Sequence, residues 1–190
     1  MKSRKQTHWL RPAATLAAML AASFAHATDV EDALAAARKC AAEATRLGIS
    51  VHVDCMDEVA LTDVKQLVLA LFKKLPDDQG EFVKRMFGES ASYDEVAALS
   101  PADFMKRVLQ RREEIAQKQK IATSLDVIGA VQDGERVLVL VRERSGPLKP
   151  SGTEVATTDV HSYIKRNGQW KSELRGDVKQ VEQMLRNQLR

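Results

Sequence analysis

Asn167-Gly168 is the residue pair that most narrows the fold of this chain. It stands within HSYIKRNGQWKSEL, residues 161–174, between two runs in which apolar and polar side chains alternate. Asn-Gly tolerates the positive φ values of a two-residue hairpin turn, so the flanking runs read as an antiparallel pair of strands. The turn length sets the register, with Arg166 opposite Gln169, Lys165 opposite Trp170, Tyr163 opposite Ser172 and His161 opposite Leu174. Side chains alternate along a strand, so Val155, Thr157, Asp159, His161 and Tyr163 share one face with Trp170, Ser172 and Leu174. The other face takes Ala156, Thr158, Val160, Ser162 and Ile164 against Lys171, Glu173 and Arg175. Trp170 and Leu174 gain most from burial, which assigns their face to the interior.

Ahead of this hairpin the chain reads as helices first and strands after. Residues 30–47 are rich in Ala, a strong helix former, and stop at Gly48. ISVHVDC, residues 49–55, reads as a short extended piece. Thr62 is placed to cap a helix whose Val64, Leu67, Val68, Leu71, Phe72 and Leu75 fall on one face before Pro76. That stripe reads as core rather than as a cofactor box. Asp78 with Glu81, and Ser92 with Glu95, have the spacing of capping boxes ahead of two shorter helices. Ser100-Pro101 opens a longer helix with Phe104, Val108 and Ile115 inward and Arg107, Arg111, Glu114 and Lys118 toward water. Its basic run KRVLQRREE reads as a solvated helix face.

From about Ile121 the period becomes two. Strands are expected over residues 123–131, 136–144, 153–166 and 169–175, with a turn at Asp133-Gly134 and a loop at SGPLKPSG. Gly176-Asp177 breaks the sheet, and Asp177 caps a last helix presenting Val178, Val181, Leu185 and Leu189. The order predicts an α+β fold: N-terminal helices packed on a curved, mainly antiparallel four-stranded sheet, with a C-terminal helix.

The first 27 residues, MKSRKQTHWLRPAATLAAMLAASFAHA, combine a basic start, a short apolar run and the small-x-small site Ala25-His26-Ala27. This is the pattern of a secretory signal peptide, removed before Thr28. The apolar run is too short to span a bilayer, which takes ~20 residues, and no membrane span is expected. The expected location is periplasmic or secreted. The remainder divides into residues 28–60, a helix with a linked segment, and residues 61–190, an α+β domain with its C-terminal helix. The only cysteines, Cys40 and Cys55, read as a disulfide in an oxidising compartment. The run His52-Val53-Asp54-Cys55 has too few companions for a metal site, since His161 is the only other His after the leader. No metal and no cofactor is implied.

The leader also carries the basic excess. The chain has 29 Lys+Arg against 26 Asp+Glu, and the leader holds four of the basic residues and no acid. Without it the balance is 25 to 26, and nucleic acid loses its main support as a partner. The remaining charge is uneven, −7 over residues 28–104 and +6 over residues 105–190. That fits two solvated surfaces, or a basic patch for an anionic ligand or partner.

Three stretches, TDVKQLVLALFKKL, SPADFMKRVLQRREE and the ending VATTDVHSYIKRNGQWKSEL, give the region around residues 61–176 a resemblance to the nuclear transport factor 2-like superfamily. The likeness is one of pattern, including a Trp two residues past the turn, and transfers no functional residue. It implies a cone-shaped α+β fold, shared with ketosteroid isomerases and SnoaL-like proteins. The 28–60 segment and the C-terminal helix lie outside the minimal fold.

Asp159, His161 and Tyr163 are alternate residues of one strand, and with Trp170 they are the candidate pocket residues. A carboxylate two residues from a His sets its tautomer, and a Tyr can donate to a developing oxyanion. Related folds line their cones with Asp, His and Tyr for isomerisation and dehydration. The neighbouring strand has two registers open to it. One brings Arg142 and Arg144 inside and makes Arg142 a further candidate for an anion; the other brings in Val137, Val139 and Val141. No phosphate loop, zinc signature or nucleophile elbow is present. The expectation is a non-enzymatic domain that binds a small molecule or another envelope protein. The alternatives are a cofactor-free lyase or isomerase using His161 and Asp159, and a structural envelope oligomer. Ala156, Val160 and Ile164 on the second face call for a cover, either the 30–47 helix or a second copy in a homodimer.

Overall fold

The computed structural model describes residues 11–74, 79–147 and 154–174, with side chains from Thr28 onward. The Ala-rich segment is part of one long helix, α1 (Arg11–Leu47), ended by Gly48 at φ +103°. Ala33, Ala37, Cys40, Ala41 and Ala44 are its buried residues, spaced as one helical face. Their short side chains let the helix lie close on the sheet.

ISVHVDC is not extended. It forms a 3-10 helix (Ile49–Cys55), tied to α1 by the Cys40–Cys55 disulfide with Cα atoms 6.2 Å apart. The tight turns bury Ser50, Val53, His52 and Cys55, a pattern that alternation along a strand would not produce. Helix α2 (Glu58–Lys74) begins earlier than Thr62; the Thr62 hydroxyl instead donates back to the Glu58 carbonyl at 2.9 Å. Asp57 is the residue before the first turn, and its carbonyl accepts from Leu61 N–H.

Helices α3 (Gln79–Phe87), α4 (Tyr93–Ala98) and α5 (Pro101–Lys118) follow. Ser92 and Glu95 make the expected capping box, and Ser100 accepts from Asp103 N–H with Pro101 in the first turn. Ile115 is not inward but 38% exposed. The inward side of α5 runs through Phe104 and Val108, and leaves Ile115 on the outer side of the last turn.

Four strands, β1 (Ile121–Asp133), β2 (Arg136–Pro147), β3 (Val155–Arg166) and β4 (Gln169–Ser172), form one curved antiparallel meander in that order. The Asn167-Gly168 turn holds both residues at positive φ, 50° and 78°, and the pairs Arg166–Gln169, Lys165–Trp170 and Tyr163–Ser172 stand in the expected register. The first hairpin turn falls one residue later than expected. Asp133 pairs with Arg136, so Gly134-Glu135 is the turn, with Gly134 at φ +61°. A bulge between Val127 and Gly129 shifts the β1 register.

Two apolar clusters share the inner face of the sheet. Phe72, Phe87, Phe104, Val68 and Leu174 belong to the cluster under α2–α5. Ala33 and Ala37 of α1 pack on Val137, Val139, Val141, Tyr163 and Trp170 in the other. The helix α1 therefore covers the same face as Trp170 and does not fold across the second face. That outer face is open at Val131, Val160 and Leu140, exposed to 59%, 51% and 36%, while Ser162 and Ile164 on the same face of β3 are buried. Leu75, Pro76, Asp78, the 148–153 loop and the whole expected C-terminal helix lie outside the described residues.

Candidate functional site

The β2 register decides what the interior is made of. Val141 stands opposite Asp159, Val139 opposite His161 and Val137 opposite Tyr163. The three valines are thus the inner side chains of β2. Arg142 pairs with Thr158 and Asp126 on the opposite face, and Arg144 there binds Asp126 at 2.9 Å. Arg142 takes no part in the interior.

Where α1 ends its cover, a cavity of about 370 Å³ lies between α2, α5, the 3-10 helix and the inner face of β1–β3. Such a volume is at the small end of the ~300–1,000 Å³ typical of small-molecule sites. Val64 and Val68 of α2, Phe104 and Val108 of α5, and Val141 of β2 make its apolar wall. The α2 stripe is therefore core and cavity lining at once. Three of the six methionines, Met56, Met86 and Met105, complete the wall. Their flexible thioethers adapt to different shapes of occupant.

Asp159 and His161 face this cavity, as alternate residues of β3. Tyr163 and Trp170 do not. Both belong to the cluster beneath α1, where Tyr163 is 1% exposed and burial pushes its hydroxyl up to about 12. Trp170 carries the Lys165 ammonium 5.6 Å from its ring centroid, and Lys165 binds Asp29 of α1 at 2.9 Å. The expected row of four candidates is split by the helix lying over its far end.

The residue that the sequence did not single out for this cavity is His52. It lines the same space from the 3-10 helix and is 8% exposed. Its Nδ1 is buried with no hydrogen-bond partner among the described residues. Burial first, and the charge of the nearby His161 second, hold its pKa below the usual imidazole value; a hydrogen bond to the Cys40 backbone opposes them. Two of the four histidines of the chain, His52 and His161, thus meet in one cavity. The sign of this in the sequence was the disulfide, which fixes the 3-10 helix against α1.

Arg112 and Glu143 form an ion pair at the other end of the polar side. They stand beside a second hollow of about 350 Å³, which shares Ile49, Arg112 and Leu125 with the first. Arg112 belongs to the run expected to be a solvated helix face and is exposed there, its guanidinium pairing with Glu143 of β2. Glu113 faces the second hollow and accepts from Ser50 N–H at 2.7 Å.

The arrangement is a greasy chamber whose polar lining combines two imidazoles, two carboxylates, the Arg112 guanidinium and Thr157. Comparison with protein-family models, curated proteins and solved structures finds no match to this chain. Among the described residues no helix is long and apolar enough to cross a membrane.

Proposed function

We propose that this chain is an exported, non-enzymatic binding protein of the nuclear transport factor 2-like kind, which takes up a small and largely apolar molecule. The observation that carries this is the cavity itself, apolar on the α2, α5 and β2 sides and polar along His52, Asp159 and His161. Apolar pockets with a few converging polar groups are the usual form of small-molecule sites. The disulfide supports the extracytoplasmic part of the reading, because such bonds persist in oxidising compartments. Native mass spectrometry of protein purified from its own envelope tests it. A retained small molecule, lost when Val108 is enlarged, is the expected result. A consistently empty protein that also fails to bind apolar dyes would end the proposal.

A cofactor-free lyase or isomerase is the second reading, and one observation favours it. Asp159 and His161 share the cavity with His52, an imidazole held neutral and thus able to act as a base. Deuterium uptake into the retained molecule from heavy water, abolished in His161→Ala, would move the assignment to an enzyme.

A further inference from the structure

The two hollows follow one another along the same two elements. Helix α5 lines the first with Phe104, Met105, Val108, Leu109 and Arg112, and the second with Arg112, Glu113, Ala116 and Gln117. Phe104, Val108, Arg112 and Ala116 are spaced by four, so they form one row along the helix. Strand β1 repeats the order. Leu125 belongs to both spaces, while Thr123 and Ile121, alternate residues before it, line only the second. The tight turn at Gln119 and Lys120 brings β1 back beside α5, so helix and strand place the hollows end to end in the same sense. From Phe104 to Gln117 the helix rises ~20 Å, against ~12 Å from Phe104 to Arg112 beside the first chamber.

At the seam stand Ile49, Arg112 and Leu125, none of them fully buried. Arg112 pairs there with Glu143, but side-chain exposures of 55% and 28% make the pair a weak one that can yield. The Arg112 stem offers its methylenes to an apolar guest whether or not the guanidinium stays paired. Small side chains line the second hollow, Ala44 from α1 and Ala116 from α5. We propose that the two hollows form one trough, and that it takes a single-chain amphiphile whose unbranched alkyl chain lies along α5 past Arg112. The inference rests on the binding reading above and narrows it to a chemical class. A compact ring system fills the first chamber and gains nothing from the second. An alkyl chain gains with each methylene that crosses the seam. Polar side chains border both spaces, Thr157 and His161 in one and Thr45 and Gln117 in the other, so a polar end finds partners at either.

The test is a homologous series of straight-chain alcohols: octan-1-ol, decan-1-ol, dodecan-1-ol and tetradecan-1-ol. Each is used below its solubility limit, and binding to the disulfide-bonded protein is read by displacement of an environment-sensitive dye. In the unmutated protein each added methylene is expected to tighten binding about threefold to fourfold, through to tetradecan-1-ol. Ala116→Phe fills the second hollow from the helix side, and Thr123→Phe fills it from the strand side. Either variant should leave octan-1-ol within about twofold of the unmutated affinity. Dodecan-1-ol and tetradecan-1-ol should then bind no more tightly than decan-1-ol. A series that levels off at decan-1-ol in the unmutated protein, or climbs equally in a folded variant, confines the ligand to the first chamber. Either result overturns the inference while the binding reading stands. No binding by any alcohol or by the dye overturns that reading itself. The two substitutions stand on separate elements, so one decides where the other does not fold.

Discussion

Glu113 of α5 accepts the Ser50 backbone N–H at 2.7 Å and so ties the long helix to the segment that carries His52. The chain can enter that contact only through Gly48. Its φ of +103° is costly for any L side chain, and a Cβ there would stand 2.5 Å from Glu113 Oε1. Gly48→Ala is expected to destabilise by about 2–4 kcal/mol, from backbone strain together with loss of the Ser50 bond. Glu113→Ala removes the same bond. In urea unfolding the double variant should therefore cost less than the sum of the two single ones, and additive costs would show the residues to be independent.

The buried imidazole makes stability depend on pH. His52 has a folded pKa below its unfolded value of ~6.5, because burial and then His161 disfavour its cation. The unfolded chain takes up the proton first. The contribution of His52 is thus complete above ~6.5 and is lost as pH falls from there toward the folded value. The titratable and charged groups lining the cavity with it are His161, Asp159, Glu143 and Arg112. Thermal melting should weaken between pH 7 and pH 5, and His52→Phe should flatten that part of the profile. An unchanged slope in the variant would assign the pH dependence to other groups.

Reduction should loosen the cavity before it unfolds the domain. The disulfide joins residues 15 apart, and closing such a loop stabilises by ~3 kcal/mol in the entropic account. Ile49, His52 and Met56 line the cavity from the segment it anchors. Cys40→Ser with Cys55→Ser is expected to lower stability by about 2–4 kcal/mol and to weaken dye binding more than tenfold at a temperature where the far-ultraviolet spectrum is native. Undiminished binding by the reduced fold would separate the disulfide from the site.

Much of this architecture was legible because local chemistry and tertiary packing agree. Asn167-Gly168 set a register that Trp170 and Tyr163 then follow, and Ser92, Ser100 and Pro101 begin their helices as their side chains dictate. Disagreement arose where a long-range contact decides. Residues 49–55 alternate as a strand would, yet the bond to Cys40 and the Glu113 acceptor wind them into a 3-10 helix. The bulge between Val127 and Gly129 has only a glycine inside a strand run to mark it, and it decides how β1 meets β2. The site was half legible for the same reason. Asp159 and His161 follow from alternation along β3, but nothing local says that α1 covers Tyr163 and Trp170 while leaving His161 open to a cavity. His52 joins them through the fold, not through sequence spacing.

The outer face of the sheet carries a further expectation. Leu140 and Val160 are register partners and both are exposed, with Val131 also open. Asp126, Arg144 and Glu154 put both signs of charge on the same sheet as this apolar centre, joined as ion pairs at 2.9 and 3.4 Å. A surface with both signs can complement itself across a two-fold axis, and we infer a homodimer packed sheet to sheet. Light scattering should give twice the chain mass for the unmutated protein and the single mass for Val160→Glu, with ligand binding retained on the inner face. A monomeric unmutated protein would end the inference.

Filling the cavity tests the site without touching its polar wall. Val108 of α5 is half-buried and lines the chamber opposite Asp159 and His161, so a larger side chain there has empty space to enter. Val108→Phe should occupy part of the about 370 Å³ and cut binding of any apolar ligand at least tenfold. Stability is expected to change by less than about 1–2 kcal/mol, since the added ring exchanges a void for contacts while straining the rotamers around it. Two controls locate the effect. Tyr163→Phe, beneath α1, and Arg142→Ala, on the outer face, should leave affinity within about twofold of the unmutated protein. Calorimetric titration with an apolar probe such as octan-1-ol reads all three variants. Loss of binding in Arg142→Ala with full binding in Val108→Phe would move the site to the other face of the sheet.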